Sequence, residues 1–228
     1  DLSQLASAFA RSGRALPPAR LRTFWELLAQ AVLLHARSHE LRAGFTAKHL
    51  SSLAAGFATE PAASVPSQPE TVLALGALLT HEEAALVQAL DETGLVRALR
   101  LLADSSTDCS AGYEAVLTEA HARASNVGAV TAALLMNAVA RRHEAAPAGS
   151  AMGGEGEIAA VVALGDRLAV ELRAGRAGPR EAANALDALG RLRQRHEELL
   201  EAMAEFVPLQ IGRFGLRDTV GAVVAYGR

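Results

Sequence analysis

Several residue types are scarce in this 228-residue sequence, and each scarcity excludes a class of protein. Cys109 is the only cysteine, so there is neither a disulfide framework nor a cysteine-based zinc site. No run of eighteen apolar residues occurs, so we expect no membrane-spanning helix. Aromatic residues make up only 4% of the chain, which leaves few rings for β-strands or for stacking on nucleobases.

Lysine is also scarce, since 21 of the 22 basic residues are arginine. Arginine suits planar pairing with phosphate, but a GC-rich genome gives the same bias. The net charge is −3, which by itself is no signature of nucleic-acid binding. The charge is unevenly spread: residues 1–50 carry seven basic and three acidic side chains, whereas residues 51–120 carry two and ten. The two regions therefore suit different partners.

What the sequence has in abundance is alanine and leucine, and half of its residues are hydrophobic. Both residues are strong helix formers, and no segment shows a convincing strand pattern. AAVVALGDRLAV (159–170) contains β-branched residues, but its flanking spacing is helical. The composition and spacing together predict an all-α protein.

A loose eleven-residue pattern recurs along the chain. It opens the sequence as DLSQLASAFAR (1–11), where Leu2, Leu5, Ala6, Phe9 and Ala10 fall on one helix face. Related segments stand at 49–59, 131–141, 181–191 and 218–228. The last two begin 37 residues apart (218 − 181). The shared core is a large apolar residue between small residues, often followed by arginine.

Second helices are predicted between these copies, at 17–37 and 196–207. The repeating unit is therefore helix, turn, helix, and a period in this range predicts an α-solenoid. We expect one array over residues 1–228, with inserted loops near 59–70, 104–112 and 144–157. Thr80 with Glu83 fits a capping box at a helix start, and Pro208 is expected to end the helix that precedes it.

Helix pairs of this length, with first helices ending in Ala-Phe-Ala-Arg or Ala-Tyr-Gly-Arg, resemble the heptatricopeptide repeats of apicomplexan organellar proteins. They are also similar to octotricopeptide repeats and to the helical regions of FAST-kinase-like proteins. The resemblance is clearest at 1–59 and 181–228. It implies a mitochondrial location and RNA binding, and in some relatives a structural place in a mitochondrial ribosome. The RAP domain that many relatives carry is not in this sequence.

Signals for catalysis are weak, and we expect no enzyme, no cofactor and no small-molecule substrate. His35 and His39 stand four residues apart, but the zinc-protease pattern would also need a glutamate after the first histidine. The glycine-rich MGGEGE (152–157) lacks the Gly-Lys-Ser/Thr of a phosphate loop. The carboxylates of 197–205 have the spacing of a solvated helix face rather than that of a catalytic pair.

Arginines recur near the turn between the two helices of a unit. We interpret them as a basic ridge that contacts phosphates without reading sequence. The competing explanation is that basic residues near helix C-termini stabilise the helix dipole. The candidate RNA contacts are Arg11, Arg14, Arg20, Arg22, Arg141, Arg142, Arg191, Arg193 and Arg195.

Two functions remain open from the sequence. The first is a non-catalytic organellar protein that binds RNA, above all ribosomal RNA, as a structural component of a mitochondrial ribosome. The second is a protein–protein scaffold in a large organellar complex with no direct RNA contact. The recurring arginines favour the first, and the acidic region 51–120 favours the second.

Overall fold

The computed structural model of the chain describes residues 4, 8, 18–38, 45–58, 69–80, 85–104, 109–145, 154–216 and 218–220. All regular structure in these residues is helical, which confirms the all-α prediction. The helices with described bounds are α1 (Pro18–Arg37), α2 (Ala47–Ala58), α3 (Pro69–Thr80), α4 (Ala85–Gln88), α5 (Glu92–Ala103), α6 (Ser110–Ala122), α7 (Ala129–Ala145), α8 (Glu155–Arg173), α9 (Pro179–Leu192) and α10 (Glu197–Gln210), followed by a 3₁₀ turn, Ile211–Arg213.

The chain divides into two compact units, residues 1–116 and 117–228. In the first unit α1 packs on α3, and α2 packs on α5. Ser51, near the start of α2, accepts a hydrogen bond from Arg97, near the start of α5. Trp25 of α1 is buried, and its ring centroid lies 5.3 Å from that of Phe57 in α2.

Two glycines of the first unit bring α3 and α6 into close contact. A Cβ placed on Gly112 of α6 would lie 2.7 Å from the Cα of Gly76 in α3. Side chains larger than hydrogen therefore do not fit at Gly112 without a backbone shift. Cys109, just before α6, is buried beside this contact and its thiol donates to the carbonyl of Leu102 at 3.4 Å.

In the second unit, helices two apart in the chain run side by side in the same direction. The last turns of α7 and α9 meet, since a guanidinium nitrogen of Arg191 lies 3.6 Å from a carboxylate oxygen of Glu144. His196, at the start of α10, bonds the Val162 carbonyl in α8, and Arg173, at the end of α8, pairs with Glu205 further along α10. Stacked helix-turn-helix repeats pack in this way, so the unit is compatible with the predicted solenoid.

The first residues of the helices can be compared with the 37-residue period predicted from the sequence. α5 and α7 begin at Glu92 and Ala129, which are 37 residues apart (129 − 92). The sequence pattern left an 82-residue gap between the copies at 49 and 131, with room for two units of which one is degenerate. α5 and α6 fill the second half of that gap with one helix pair.

Of the other local predictions, those of helices are confirmed, whereas two predictions of where helices begin or end are wrong. The stretch 159–170 is helical, as expected, and Pro18 is the first residue of α1. Thr80 is the last residue of α3 rather than an N-cap, and its hydroxyl donates back to the carbonyl of Ala77. Pro208 does not end α10, which continues to Gln210, because proline in a last turn removes only one hydrogen bond.

The predicted loops are shorter than expected where the structure describes them. α6 begins at Ser110, so the end of the stretch 104–112 is helical. α7 continues to Ala145 and α8 begins at Glu155, so the ends of 144–157 are helical as well. Residues 59–68, 105–108 and 146–153 lie outside the described residues, as do Ser67 and most of the predicted copies at 1–11 and 218–228.

Candidate functional site

The predicted N-terminal arginines are only partly described. Arg11 and Arg14 lie outside the described residues, and for Arg20 and Arg22 the structure gives the backbone alone. That backbone places Arg20 and Arg22 in the first turns of α1. A helix N-terminus carries partial positive charge, so the dipole explanation for turn arginines does not account for these two.

The C-terminal arginines are brought together at one end of the second unit. Because α7 and α9 run in the same direction, both helices end there, and the α9–α10 turn follows directly. We call this group the arginine cluster: it consists of Arg141, Arg142, Arg191, Arg193 and Arg195. Its two halves are about fifty residues apart in the sequence, so their meeting depends on the packing of α7 on α9.

Arg191 and Arg195 of the arginine cluster pair with carboxylates. Arg191 is 24% exposed, and its guanidinium lies 2.8 Å from Asp187 as well as 3.6 Å from Glu144. Arg195 is 78% exposed and lies 2.8 Å from Glu197. Arg191 therefore holds α7 against α9, whereas Arg195 belongs to an exposed pair that contributes little to stability and can exchange its partner for a phosphate.

Arg193 has an unusual backbone conformation for its residue type. It follows the last residue of α9 with φ of 51° and ψ of 36°, in the left-handed region. The amide of Gln194 donates to the Leu189 carbonyl, which closes a helix-ending motif that normally has glycine at this position. The end of α8 shows the same motif with Gly175 at φ of 68°.

A non-glycine residue in the left-handed region costs of order 1 kcal/mol. Arg193 is exposed, so burial of its side chain does not offset that cost. Exposed arginines without a structural reason for their position point to a role in binding, and strained residues are concentrated at functional sites. Arg193 is therefore the strongest individual candidate for an RNA contact within the arginine cluster.

A groove opens beside the arginine cluster, between α7, the start of α8 and the α9–α10 turn. Its floor is apolar, with Val139, Val161 and Leu192, and Ile158 stands at its edge. Polar side chains complete the lining: His143, Glu157 and Gln194.

Residues that sequence reasoning missed form a buried charge network at the α8–α9 turn. Glu171 is 4% exposed and accepts two hydrogen bonds of 2.8 Å from Arg176. Arg167 lies 2.8 Å from the same carboxylate and donates to the Val127 carbonyl before α7. Hydrogen bonding from Arg176, opposed by burial, lowers the pKa of Glu171 below its ordinary value of 4.5.

A second group missed from the sequence connects α8 with α10. Arg173 pairs with Glu198 and lies 3.7 Å from Glu205 and 4.0 Å from Glu201. The hydrogen bond with Glu198 raises the pKa of Arg173 and lowers that of Glu198. Glu201 and Glu205 are four residues apart and exposed, as predicted for a solvated carboxylate face over 197–205, but the arginine comes from another helix and left no local signal.

The two histidines that the sequence offered as metal ligands are described only in part. The Nδ1 of His35 lies 2.8 Å from the Ala31 carbonyl, and His39 lies outside the described residues. Among the residues that the structure describes, no group of three or more histidine, cysteine, aspartate or glutamate side chains is placed to hold a metal ion. The helices of the described part include none with the length and apolarity needed to cross a membrane.

Comparison of the chain with protein-family models, with curated proteins and with solved structures finds no match. The likeness to organellar helical-repeat proteins therefore stays a prediction from the sequence pattern.

Proposed function

We propose that this protein is a non-catalytic helical-repeat protein that binds RNA through the phosphates of the RNA backbone. The observation that carries the proposal is the arginine cluster, in which Arg141 and Arg142, near the end of α7, lie at the same end of the second unit as Arg191, Arg193 and Arg195. Contacts of this kind position an RNA backbone and are sensitive to salt.

The chemistry of the cluster supports phosphate binding more than base reading. Guanidinium groups bind phosphate oxygens in pairs of parallel hydrogen bonds. The cluster contains no aromatic side chain on which a base could stack, and sequence-specific RNA recognition usually needs one. Following the sequence resemblance, the proposed RNA is ribosomal RNA of a mitochondrial ribosome.

The test is RNA affinity as a function of salt. A fluorescently labelled ribosomal RNA hairpin would be titrated with the full chain and with a variant carrying Arg193→Gln and Arg195→Gln. The matched control carries Arg180→Gln and Arg213→Gln, because both are exposed arginines, and Arg180 lies in the first turn of α9, at its opposite end. A further variant with Arg11, Arg14, Arg20 and Arg22 changed to glutamine tests the N-terminal group.

If the proposal is correct, the first variant binds more weakly, and the slope of log K against log salt falls by about 1 for each phosphate that the variant no longer neutralises. The control then keeps the slope of the unmodified chain. Equal losses of affinity in both double variants would show that only overall charge matters. Absence of binding at low salt, in a chain that circular dichroism shows to be folded, would contradict RNA binding altogether.

A scaffold function is the second candidate, and a different observation favours it. Large apolar side chains are exposed in and after α10: Leu209 is 81%, Ile211 58% and Leu216 84% accessible. Apolar side chains exposed close together in the sequence are typical of surfaces that meet another protein. Under this function the chain would bind neighbouring proteins of a large organellar complex whether or not it contacts RNA.

A further inference from the structure

The outer surface of α8 is apolar, although the inner surface of the same helix already forms part of the core. Val161, Leu164, Leu168 and Leu172 are buried against the rest of the unit. On the opposite side, the exposed positions from 158 to 170 are Ile158, Val162, Asp166 and Val170, and only one of these is polar. The three apolar side chains are 39%, 45% and 50% accessible.

A helix that is apolar on both sides has the pattern of a helix that is covered on both sides. The exposed row follows a four-residue spacing, so its members form one continuous ridge that is inclined to the helix axis. From Ile158 to Val170 the row is about 18 Å long, at 1.5 Å per residue. Three to four turns of a partner helix would cover this length.

Charge beside the row indicates what covers it. α10 runs parallel to α8 and presents Glu198, Glu201 and Glu205, which are 52%, 67% and 66% exposed. One cation, Arg173, lies among these three carboxylates, and Asp166 adds a further acid within the row itself. An apolar strip with an acidic flank is complementary to a helix that has an apolar strip and a basic flank.

We propose that Ile158, Val162 and Val170 of α8, with the glutamate row of α10, form a docking surface for a basic amphipathic helix of a partner protein. This surface deepens the scaffold function by naming the chemistry of the partner, and it does not depend on the RNA contact. RNA is excluded as its occupant, because the exposed carboxylates repel phosphates.

The experiment uses the full chain and a synthetic helical peptide with leucines at four-residue spacing and arginines along one flank. A peptide with glutamate in place of each arginine and a scrambled peptide of identical composition serve as controls. Binding is measured by fluorescence anisotropy of the labelled peptide. The protein variants are Val162→Asn, which alters the apolar row, and the double change Glu201→Arg with Glu205→Arg, which alters the flank.

The expected result is binding of the basic amphipathic peptide alone, with affinity reduced roughly tenfold or more by each protein variant. Glu114→Arg, a charge reversal at an exposed site in the first unit, should leave the affinity unchanged. Leu34→Asn, at an exposed apolar position of α1 in the first unit, should do the same.

Equal binding of the scrambled and amphipathic peptides would overturn the proposal, because attraction would then be charge alone. Absence of binding, or equal binding to the Val162→Asn variant, would overturn it as well. Val162 is already exposed, so its replacement by asparagine should leave the fold intact, which circular dichroism checks. RNA affinity measured on the same variants separates the two functions: it should be unchanged by Val162→Asn and lowered by Arg193→Gln, whatever the peptide result.

Discussion

The imidazole ring of His196 occupies the space above Gly165 where any other residue would carry a Cβ. A Cβ at Gly165 would lie 2.5 Å from both Cδ2 and Nε2 of that ring. The ring Nδ1 accepts a hydrogen bond from the Leu199 amide at 3.2 Å and so caps α10, while Nε2 lies 3.0 Å from the Val162 carbonyl. Since Nδ1 accepts, the Nε2–H of His196 donates to the Val162 carbonyl. One missing side chain thus allows α8 and α10 to be joined through a histidine.

Gly165→Ala should accordingly destabilise the second unit. The methyl group would displace the ring, and an overpacked core position costs about 1–3 kcal/mol. Gly156→Ala is the matched control, because it lies in the same helix with nothing within 4 Å of the place its Cβ would take, and alanine is the better helix former by about 0.5–1 kcal/mol. Urea unfolding followed by circular dichroism should give Gly165→Ala a lower free energy of unfolding than the unmodified chain and Gly156→Ala a higher one. A Gly165→Ala chain as stable as the original would show that the ring can move aside.

Alanine is expected to affect stability differently at Gly112 and at Gly76, the two glycines in contact in the first unit. Gly112→Ala puts its Cβ 2.7 Å from the backbone of Gly76 and should cost about 1–3 kcal/mol. Gly76→Ala meets only Cys109 and Leu102, at 3.6 and 3.9 Å, and should be neutral or stabilising by up to about 1 kcal/mol. The fluorescence of Trp25, the only tryptophan, reports unfolding of this unit. If both substitutions proved equally harmful, the close approach of α3 and α6 would not be the cause.

Glu171→Gln should make stability less dependent on pH. The folded state holds the pKa of Glu171 below 4.5, mainly through the hydrogen bonds from Arg176. A lowered carboxyl pKa stabilises the folded state above the unfolded pKa, and this contribution is lost as pH falls through the folded pKa. At pH 7 the variant should be less stable by about 1–3 kcal/mol, since hydrogen bonds to a charged group are removed.

The difference between the unmodified chain and Glu171→Gln should therefore shrink as pH falls below 4.5. Urea unfolding at a series of pH values measures it. Glu114→Gln, at an exposed position, is expected to change stability little at any pH. A Glu171→Gln deficit that stayed constant down to low pH would mean that packing rather than charge accounts for the loss of stability.

Arg193→Gly should raise stability and lower RNA affinity together. Glycine adopts the left-handed conformation without steric cost, so the gain should be up to about 1 kcal/mol, as Gly175 illustrates at the end of α8. The charge that we assign to a phosphate contact is removed in the same step. Arg193→Lys keeps both the strain and the charge and should leave both quantities close to the original. Higher stability with unchanged RNA affinity would remove Arg193 from the proposed interface.

The sequence predicted those features that depend on local pattern. The copy at 181–191 corresponds to α9, Pro179–Leu192, since its apolar spacing and small residues are written into consecutive positions. It did not reveal the sides of α8: the helical spacing in this stretch does not distinguish Ile158 and Val162, which face outward, from Leu164, which is buried. Hydrophobic periodicity identifies apolar positions but cannot say how many neighbouring helices cover them.

The candidate site likewise combines features that the local sequence pattern predicted with features that depend on helix packing. Arginines recurring near turns were visible as a pattern, but that Arg142 and Arg193 lie at the same end of the second unit follows only because α7 and α9 run in the same direction. The left-handed conformation of Arg193 had no signal, because glycine or asparagine would be expected there. The partner of Glu171 at position 176 lies beyond the end of its helix, where no helical spacing rule applies.

The buried thiol of Cys109 allows local opening of the first unit to be measured by chemical labelling. As the only cysteine, it stands beside the contact of Gly76 and Gly112 and is 5% exposed. A thiol reagent can reach it only when the packing around it opens, so the labelling rate in excess reagent measures how often the first unit opens at this point. Since the second unit contains no cysteine, the labelling rate reports local opening of the first unit and is independent of opening in the second.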